Sequence, residues 1–542
     1  MAMDVRTRSS RLYWTLPLGL LVALVSLIPR LDGEYSSGRY LWAEDGNVFI
    51  NQAQSLGLRS IWTPYRGYVH AYPRLVALIG RCFELKNQPH VFLGGWIFAF
   101  GVMTAILVVR ATNLGLGSLH VCALVTLVAL QPNCEVFFNI TNAQSILGTA
   151  AITHILASAN RRTPLLECIL LAVLCLTGPF SIWIAPLVII HGLWHRALKQ
   201  NSGLYLVVLV CAAIQAGLLL NSSRFTQTVP LDRNLGSWLA AFWSIILFGA
   251  RRPAALLAGY VFWAAVVFAL ACPSKGRPPN ATTRKGVSWL ILGAAVANIV
   301  AALYSLRAHP MGVLALECGH RYMWIPYSLF IFGSAIATAR FAKARYLAMA
   351  ALAVICQERF RPIMQPNLRF ESYANLSHYR SVLIPINPQV SSQAWRPGRP
   401  GWYVDGGNPG RSADSVALGY RMERDAITGS GVTLEWLGDT LDVLSKTDNP
   451  VLIFGKPIIC PGASDIGVEI EMVRSHDGWM QMFWDPWKNF TESNSIRRTY
   501  PAGRIRAQFA FPNGPGGVYV RFDPLEQRGE AKIEGMLVYC LP

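Results

Sequence analysis

Long apolar segments recur along the first two thirds of the chain, from Leu16 to about Cys356, and then stop. A helix needs about 20 mostly apolar residues to cross the ~30 Å hydrocarbon core of a bilayer. The pattern predicts about eleven crossings, at residues 12–29, 91–110, 115–131, 143–159, 164–178, 180–195, 203–220, 254–272, 287–305, 323–339 and 346–357. The apolar stretch 236–250 is predicted to be re-entrant or interfacial. Residues 1–358 are therefore predicted to form a polytopic α-helical membrane domain.

A different pattern follows the last apolar segment. Residues 359–429 are rich in Pro, Gly, Asn and Ser and are predicted to be an irregular linker. From residue 430 to 542, short strand-like runs follow one another between turn residues. They read GVTLEWL, PVLIFG, IGVEIEMV, GWMQMFW, RIRAQFAF, GVYVRF and KIEGMLVYC. Such spacing is typical of an all-β domain, and it predicts a sandwich or jelly roll.

The distribution of charge along the chain indicates which class of partner the protein binds. The net charge of +18 would suit nucleic acid, but residues 359–542 carry 20 Lys/Arg and 19 Asp/Glu, so the excess lies in the membrane part. There, basic residues cluster in the short loops at Arg110, Arg161–Arg162, Arg196–Lys199, Lys275–Lys285 and Arg340–Arg345, as the positive-inside rule requires. The N-terminus is therefore predicted in the cytoplasm, and an odd number of crossings puts the β-rich tail outside. Membrane lipid is the expected partner, and nucleic acid is excluded.

The first outer loop, residues 30–90, contains two adjacent acidic residues, although acidic residues are scarce in the membrane part of the chain. Residues 1–358 hold only eleven carboxylates, and Glu44 and Asp45 open a segment whose apolar spacing predicts an amphipathic helix on the membrane surface. A carboxylate at the mouth of a membrane cavity can act as a general base, or it can hold a divalent cation such as Mg²⁺ or Mn²⁺. It can equally cap the helix that follows. The residues alone leave these readings open.

The outer loops also carry cationic groups beside aromatic rings. Arginine forks match phosphate geometry, and aromatic faces suit sugar rings. The set predicts a pocket for a phosphorylated, lipid-linked sugar, whereas each residue taken singly also fits an aromatic belt with snorkelling arginines. Its members are Arg66, His70, Arg74, Arg307, His309, His320, Arg321 and Tyr322.

A polar stretch, QPNCEVFFNITNAQS, lies at a third outer junction. Its carboxylate and amides, Glu135, Asn139, Asn142 and Gln144, could bind sugar hydroxyls of an acceptor, or they could cap the next helix. Of the eleven cysteines, only Cys460 and Cys540 lie in the tail. They could form a disulfide if the tail faces an oxidising compartment.

The motifs WAEDGNVFINQA, PYRGYVHAYPRL, FFNITNAQ and GHRYMWIPY resemble a bacterial group within the GT-C superfamily of polyprenyl-phosphate-sugar-dependent glycosyltransferases, similar to phage-type serotype-converting glucosyltransferases. The resemblance implies inverting transfer, with or without a metal, in which a carboxylate of the first outer loop activates the acceptor. The matching positions are Glu44 and Asp45, and Asp45 is the preferred base. It also implies a polyprenyl-phosphate sugar as donor and a glycan or glycolipid as acceptor, at the outer face of a bacterial cytoplasmic membrane.

The tail is similar to β-sandwich modules of bacterial cell-surface polysaccharide enzymes. Trp479, Trp484 and Trp487 could stack on sugars or pack inside a sandwich. Two other functions fit the sequence. A flippase could move the lipid-linked sugar without cleaving it, and a non-catalytic scaffold could display the tail to bind glycans.

Overall fold

The computed structural model describes residues 2–31, 41–132, 135–158, 164–194, 201–222, 230–272, 280–314, 319–360, 365–388, 402–407, 410–412, 416–418, 422, 426–448 and 450–542. Its chain divides into two compact units. The first, the helical unit, comprises Met1–Tyr35, Leu56–Val76 and Phe92–Met364. The second, the β-rich unit, comprises Ser36–Ser55, Ala77–Val91 and Gln365–Pro542. The outer loop predicted at 30–90 thus contributes to both units.

The described part of the chain contains fifteen α-helices. They are α1 (Ala2–Val25), α2 (Asn51–Leu56), α3 (Ala71–Gly80), α4 (Gln88–Asn113), α5 (Ser118–Ala129), α6 (Ala143–Leu156), α7 (Leu165–Cys175), α8 (Phe180–Trp194), α9 (Ser202–Leu220), α10 (Leu235–Ile246), α11 (Pro253–Ala271), α12 (Asn280–Ser305), α13 (Trp324–Thr338), α14 (Ala342–Arg359) and α15 (Phe370–Ser377). Each segment predicted to cross the membrane coincides with one of them. Helix α10 covers most of the stretch predicted as re-entrant.

Five helical segments are long and apolar enough to cross a membrane: Leu12–Arg30, Leu85–Asn113, Ser202–Leu220, Pro253–Ala271 and Lys285–Ser305. The other apolar helices are shorter, such as α7 with 11 residues. These five segments support the predicted membrane domain. The count of eleven crossings and the topology stay predictions.

Two sets of contacts join neighbouring loops and helices within the helical unit. In the first, Glu167 of α7 accepts from His154 of α6 at 2.8 Å and lies 3.5 Å from Arg110 of α4. In the second, the backbone N–H of Asp232 donates to the carbonyl of Arg307 at 2.8 Å. The basic clusters predicted at residues 161–162, 196–199 and 275–279 lie outside the described residues.

The β-rich unit contains thirteen described strands. They are β1 (Leu383–Pro385), β2 (Tyr403–Asp405), β3 (Ala417–Leu418), β4 (Ile427–Ser430), β5 (Val432–Leu437), β6 (Thr440–Ser445), β7 (Val451–Phe454), β8 (Asp465–Arg474), β9 (Gly478–Asp485), β10 (Ser495–Tyr500), β11 (Gly503–Pro512), β12 (Tyr519–Asp523) and β13 (Gly529–Leu541). All seven predicted strands are present, and β1, β2, β3, β4, β6 and β10 are additional. The C-terminal β structure is confirmed.

The strands form two larger antiparallel sheets and one hairpin. One sheet has the order β10-β9-β12-β7-β4, the other has β11-β8-β13-β6-β5 with β3 beside β13, and β1 pairs with β2. Alternate side chains of β8, such as Ile466, Val468 and Ile470, are fully buried, as a strand with one core-facing side requires. Trp484 of the first sheet stacks on Phe511 of the second, with ring centroids 4.9 Å apart.

Two predictions for the tail can be compared with this unit. Cys460 and Cys540 form a disulfide in the structure. Of the three tryptophans, Trp484 is buried in the core and Trp487 is 86% exposed. The segment predicted as an irregular linker contains α15 and the hairpin β1–β2, which together form a scaffold for residues 41–55.

Candidate functional site

The acidic pair of the first outer loop lies in the β-rich unit. Asp45 begins a short π-helix, Asp45–Ile50, and Glu44 precedes it. The side chain of Asp45 is fully buried, and its Oδ2 accepts from the backbone N–H of Trp42 at 2.9 Å. Glu44 is half-buried. Asp45 thus closes the turn before its helix, and neither acid makes a side-chain capping bond to the helix that follows.

The pair is held by the hairpin β1–β2 and the residues beside it. The N–H of Ala43 donates to the carbonyl of Asn387 at 2.5 Å, and Trp42 bridges to the same residue. A Cβ on Gly46 would lie 2.5 Å from Val404 Cγ2 and 2.6 Å from Ile386 Cδ1. The backbone here can approach the hairpin only because residue 46 is glycine.

The backbone beside the acids departs from ordinary geometry in two ways. Ala43 has a φ of +31°, which costs a non-glycine residue about 1–3 kcal/mol. A π-helix in place of an α-helix is rare and is frequent at functional sites. The surrounding contacts therefore maintain an unfavourable conformation that places two carboxylates side by side. A simple helix cap does not require this unfavourable backbone conformation.

The residues that support the pair could not be found from the sequence. Asn387, Ile386 and Val404 are more than 330 positions away from it, in a region read as linker. The one local signal was Gly46, which follows the acids directly. The reason for a glycine at this position is its contact with Val404 and Ile386, which only the tertiary structure shows.

Arg66, His70 and Arg74 lie together in the helical unit, but they differ in exposure. Arg66 is exposed at a positive φ of +54°, whereas His70 and Arg74 are buried. Burial lowers the pKa of His70 to about 3, with the charge of Arg74 as a second cause. His70 is therefore neutral at physiological pH. A neutral imidazole can still hydrogen-bond a sugar, so the part of His70 in donor binding stays a prediction.

A buried glutamine of α9 fixes this loop. Gln215 Oε1 accepts from the N–H of Val69 at 2.9 Å, and its Nε2 lies 3.0–3.1 Å from the carbonyls of Val69, Leu176 and Gly178. One amide side chain thus ties two loops to the middle of an apolar helix. Sequence reasoning missed Gln215, although a lone amide in an apolar segment is a detectable signal.

Glu135 and Arg321, predicted to bind different substrates, form one ion pair. Arg321 Nη1 donates to Glu135 Oε1 at 3.0 Å, and the backbone N–H of Arg321 donates to Oε2 at 3.0 Å. The carboxylate is 1% exposed and the Arg321 side chain 30% exposed. The guanidinium also lies over the ring of Tyr322, 5.6 Å from its centroid. A buried acid therefore orients a partly accessible guanidinium beside an aromatic ring.

The amides predicted to bind an acceptor are largely used within the protein. Asn139 and Asn142 both donate to the carbonyl of Glu135, at 2.7 and 3.0 Å, and the N–H of Asn142 donates to Asn139 Oδ1. These bonds close the loop before α6, while Asn142, which precedes the helix, makes no side-chain capping bond to it. Gln144 lies apart from them, against Gly178.

Shared neighbours bring these two groups to one region of the helical unit. Tyr72 donates to the carbonyl of Gly95 at 2.6 Å, and Trp96 donates to the carbonyl of Val136 at 2.8 Å. Arg307 lies beside Asp232, whose N–H donates to the carbonyl of Arg307, and Leu306, next to Arg307, packs against Gly319, which precedes His320. His320 is buried next to Arg321. In the described ranges, no group of three or more His, Cys, Asp or Glu is arranged to hold a metal ion.

No family model matches the chain, and no curated protein matches it. Two solved structures resemble it at low identity. The arabinofuranosyltransferase AftD from Mycobacteria has 11% identity over 96% of this chain and 58% of that chain, with a TM-score of 0.37. A mutant of CBM29-2, a family 29 carbohydrate binding module, has 10% identity over 23% of this chain and 88% of that chain, with a TM-score of 0.17. Likenesses at this level do not define the fold or the activity of this chain.

Proposed function

We propose that the protein is a membrane glycosyltransferase. It would move a sugar from a polyprenyl-phosphate donor to a glycan or lipid-linked acceptor at the extracytoplasmic face of a bacterial cytoplasmic membrane. The observation that carries this proposal is the constrained acidic pair, Glu44 and Asp45, which follows Ala43 at a positive φ and begins a π-helix beside the hairpin β1–β2. Proteins maintain such strained positions where the surrounding structure needs the resulting geometry.

The two carboxylates take different parts in the proposed reaction. Glu44 is half-buried and therefore less enclosed than Asp45, which suits contact with the acceptor, while the burial of Asp45 suits positioning. Glu44 accepts the proton of an acceptor hydroxyl as that oxygen forms a bond to the anomeric carbon. The bond between the anomeric carbon and the phosphate oxygen breaks, and polyprenyl phosphate leaves. This assigns the base to Glu44 rather than to the initially preferred Asp45.

A cationic group is needed where negative charge develops on the leaving phosphate. Within the helical unit, Arg321 is the candidate for binding the donor phosphate, because its guanidinium is partly accessible and is oriented by buried Glu135. The neutral His70, and the amides that are hydrogen-bonded within the loops, are less suited to bind the donor phosphate. Donor binding is accordingly proposed for Arg321 and Tyr322, with a divalent cation left to be tested.

The test uses full-length protein in proteoliposomes supplied with a polyprenyl-phosphate sugar, with release of polyprenyl phosphate as the measurement. General-base removal typically lowers a rate about 10²–10⁴-fold, so Glu44→Gln is expected to lose at least ~100-fold. Asp45→Asn should lose activity through misplacement of Glu44. The control Glu435→Gln changes an exposed carboxylate of β5 and should leave the rate unchanged.

Three results would contradict the proposal. Full activity in both Glu44→Gln and Asp45→Asn would remove the acidic pair from the reaction. Movement of the lipid-linked sugar across the bilayer without cleavage would indicate a flippase. If the wild type neither cleaves the lipid-linked sugar nor moves it across the bilayer, the result would indicate a non-catalytic scaffold.

A further inference from the structure

A cavity of about 350 Å³ lies within the β-rich unit. Its wall is formed by α2, the segment from Arg81 to Gln88, the end of α15 and the glycines that follow β2. Its volume falls within the range of ~300–1,000 Å³ that small-molecule sites usually have. No residue predicted from the sequence to bind a substrate is among those that line it.

The chemistry of the wall suits a hydroxyl-rich ligand, and Arg81 and His378 add a guanidinium and an imidazole to it. Gln54, Gln88 and Ser377 supply amide and hydroxyl groups, which both donate and accept hydrogen bonds. Phe83, half-exposed, supplies an aromatic face. None of the ten described lining residues is Asp or Glu, so the wall does not suit a metal ion. Amides, a hydroxyl and an aromatic face together are the groups that bind a sugar ring.

Glycines let the ligand reach the backbone on one side. Gly406 donates its N–H to the carbonyl of Val382 at 3.0 Å, and a Cβ there would lie 2.7 Å from Ser377 Cβ. A Cβ on Gly410 would meet no atom within 4 Å. The wall is therefore close-packed at Gly406 and open at Gly410, which makes residue 410 the place to fill the cavity without disturbing the fold.

The cavity shares its scaffold with the acidic pair. Gln54 lies on α2, which continues directly from the π-helix that Asp45 begins. Asn51, at the start of the same helix, accepts from the N–H of Asp405 at 2.9 Å, and the lining glycines Gly406 and Gly407 follow directly. A ligand in the cavity and the carboxylates are thus positioned by one helical segment and one hairpin.

We propose that this cavity binds one or two sugar units of the acceptor glycan and so positions its terminal hydroxyl toward the acidic pair. The proposal rests on the transferase function. Polar Gln88 opens α4, whose following residues form one of the long apolar segments. A site at the start of such a segment suits a glycan that is attached at the membrane surface.

The experiment measures saccharide binding separately from transfer. Trimers of glucose, galactose, mannose and xylose are titrated into detergent-solubilised full-length protein, and the Kd is determined by saturation-transfer NMR. Wild-type protein should bind at least one trimer. Gly410→Trp should weaken that binding at least tenfold, and Gln54→Ala should weaken it by a smaller factor. Gly535→Trp is the matched control, because a Cβ on Gly535 in β13 also meets open space.

Glu44→Gln separates this proposal from the transferase function, since it should bind the trimer normally while failing to release polyprenyl phosphate. Loss of binding in Gly410→Trp with an unchanged thermal midpoint supports the cavity. Unchanged binding in both Gly410→Trp and Gln54→Ala overturns it, as does failure of all four trimers to bind the wild type. Full release of polyprenyl phosphate by Glu44→Gln would refute the proposed base and leave the binding result standing.

Discussion

Replacing Gly46 by alanine adds one methyl group at the point where the acidic pair meets its support. The new Cβ would lie 2.5 Å from Val404 Cγ2 and 2.6 Å from Ile386 Cδ1. Carbon atoms in contact lie about 3.5–4.0 Å apart, so each overlap is about 1 Å. Both neighbours are buried and β-branched, so neither can turn aside freely. Overpacking of this kind costs about 1–3 kcal/mol.

We expect Gly46→Ala to lower the thermal midpoint of the detergent-solubilised protein and to reduce sugar transfer by up to ~100-fold, because a catalytic group displaced by about 1 Å can lose that much rate. Adding Val404→Ala and Ile386→Val removes the two clashing methyl groups and should restore part of both losses. Gly293→Ala is the control, since its Cβ meets no atom within 4 Å. The reasoning is refuted if Gly46→Ala keeps the wild-type midpoint and rate, or if the added substitutions rescue nothing.

Three further perturbations test other parts of the structure. Gln215→Leu removes the acceptor of the Val69 N–H and should destabilise the protein by about 1–3 kcal/mol, seen as a lower thermal midpoint; an unchanged midpoint would contradict the bonding found here. The pKa of His70 is about 3 in the folded protein against 6.5 unfolded, so the unfolded chain binds more protons between these values. Stability should therefore fall by up to about 1.4 kcal/mol per pH unit as the pH drops below 6.5, and His70→Gln should flatten that slope in acid-denaturation curves. Replacing both Cys460 and Cys540 by serine opens a disulfide spanning 80 residues and should cost about 2–4 kcal/mol in denaturant titrations, whereas a wild-type midpoint would show that the bond does not constrain the unfolded chain.

The sequence by itself determined where the helices and most strands lie. Apolar length identified each predicted span, because a helix in a bilayer must carry its own apolar surface. Short apolar runs between turn residues identified strands such as β8 and β9. These are local properties. Strands β6 and β10, whose sequences TLDVLS and SIRRTY contain few apolar residues in succession, were missed for the same reason.

The sequence also identified the scarce carboxylates Glu44 and Asp45, but not how they are used. Only the tertiary structure decided that Asp45 is buried and that Asn387 and Val404 hold the segment, because these contacts join residues more than 330 positions apart. Burial likewise decided that His70 is neutral, since the pKa depends on surroundings that no local motif specifies. Composition fixed the class of protein, and long-range packing fixed which of its polar groups are structural and which face a ligand.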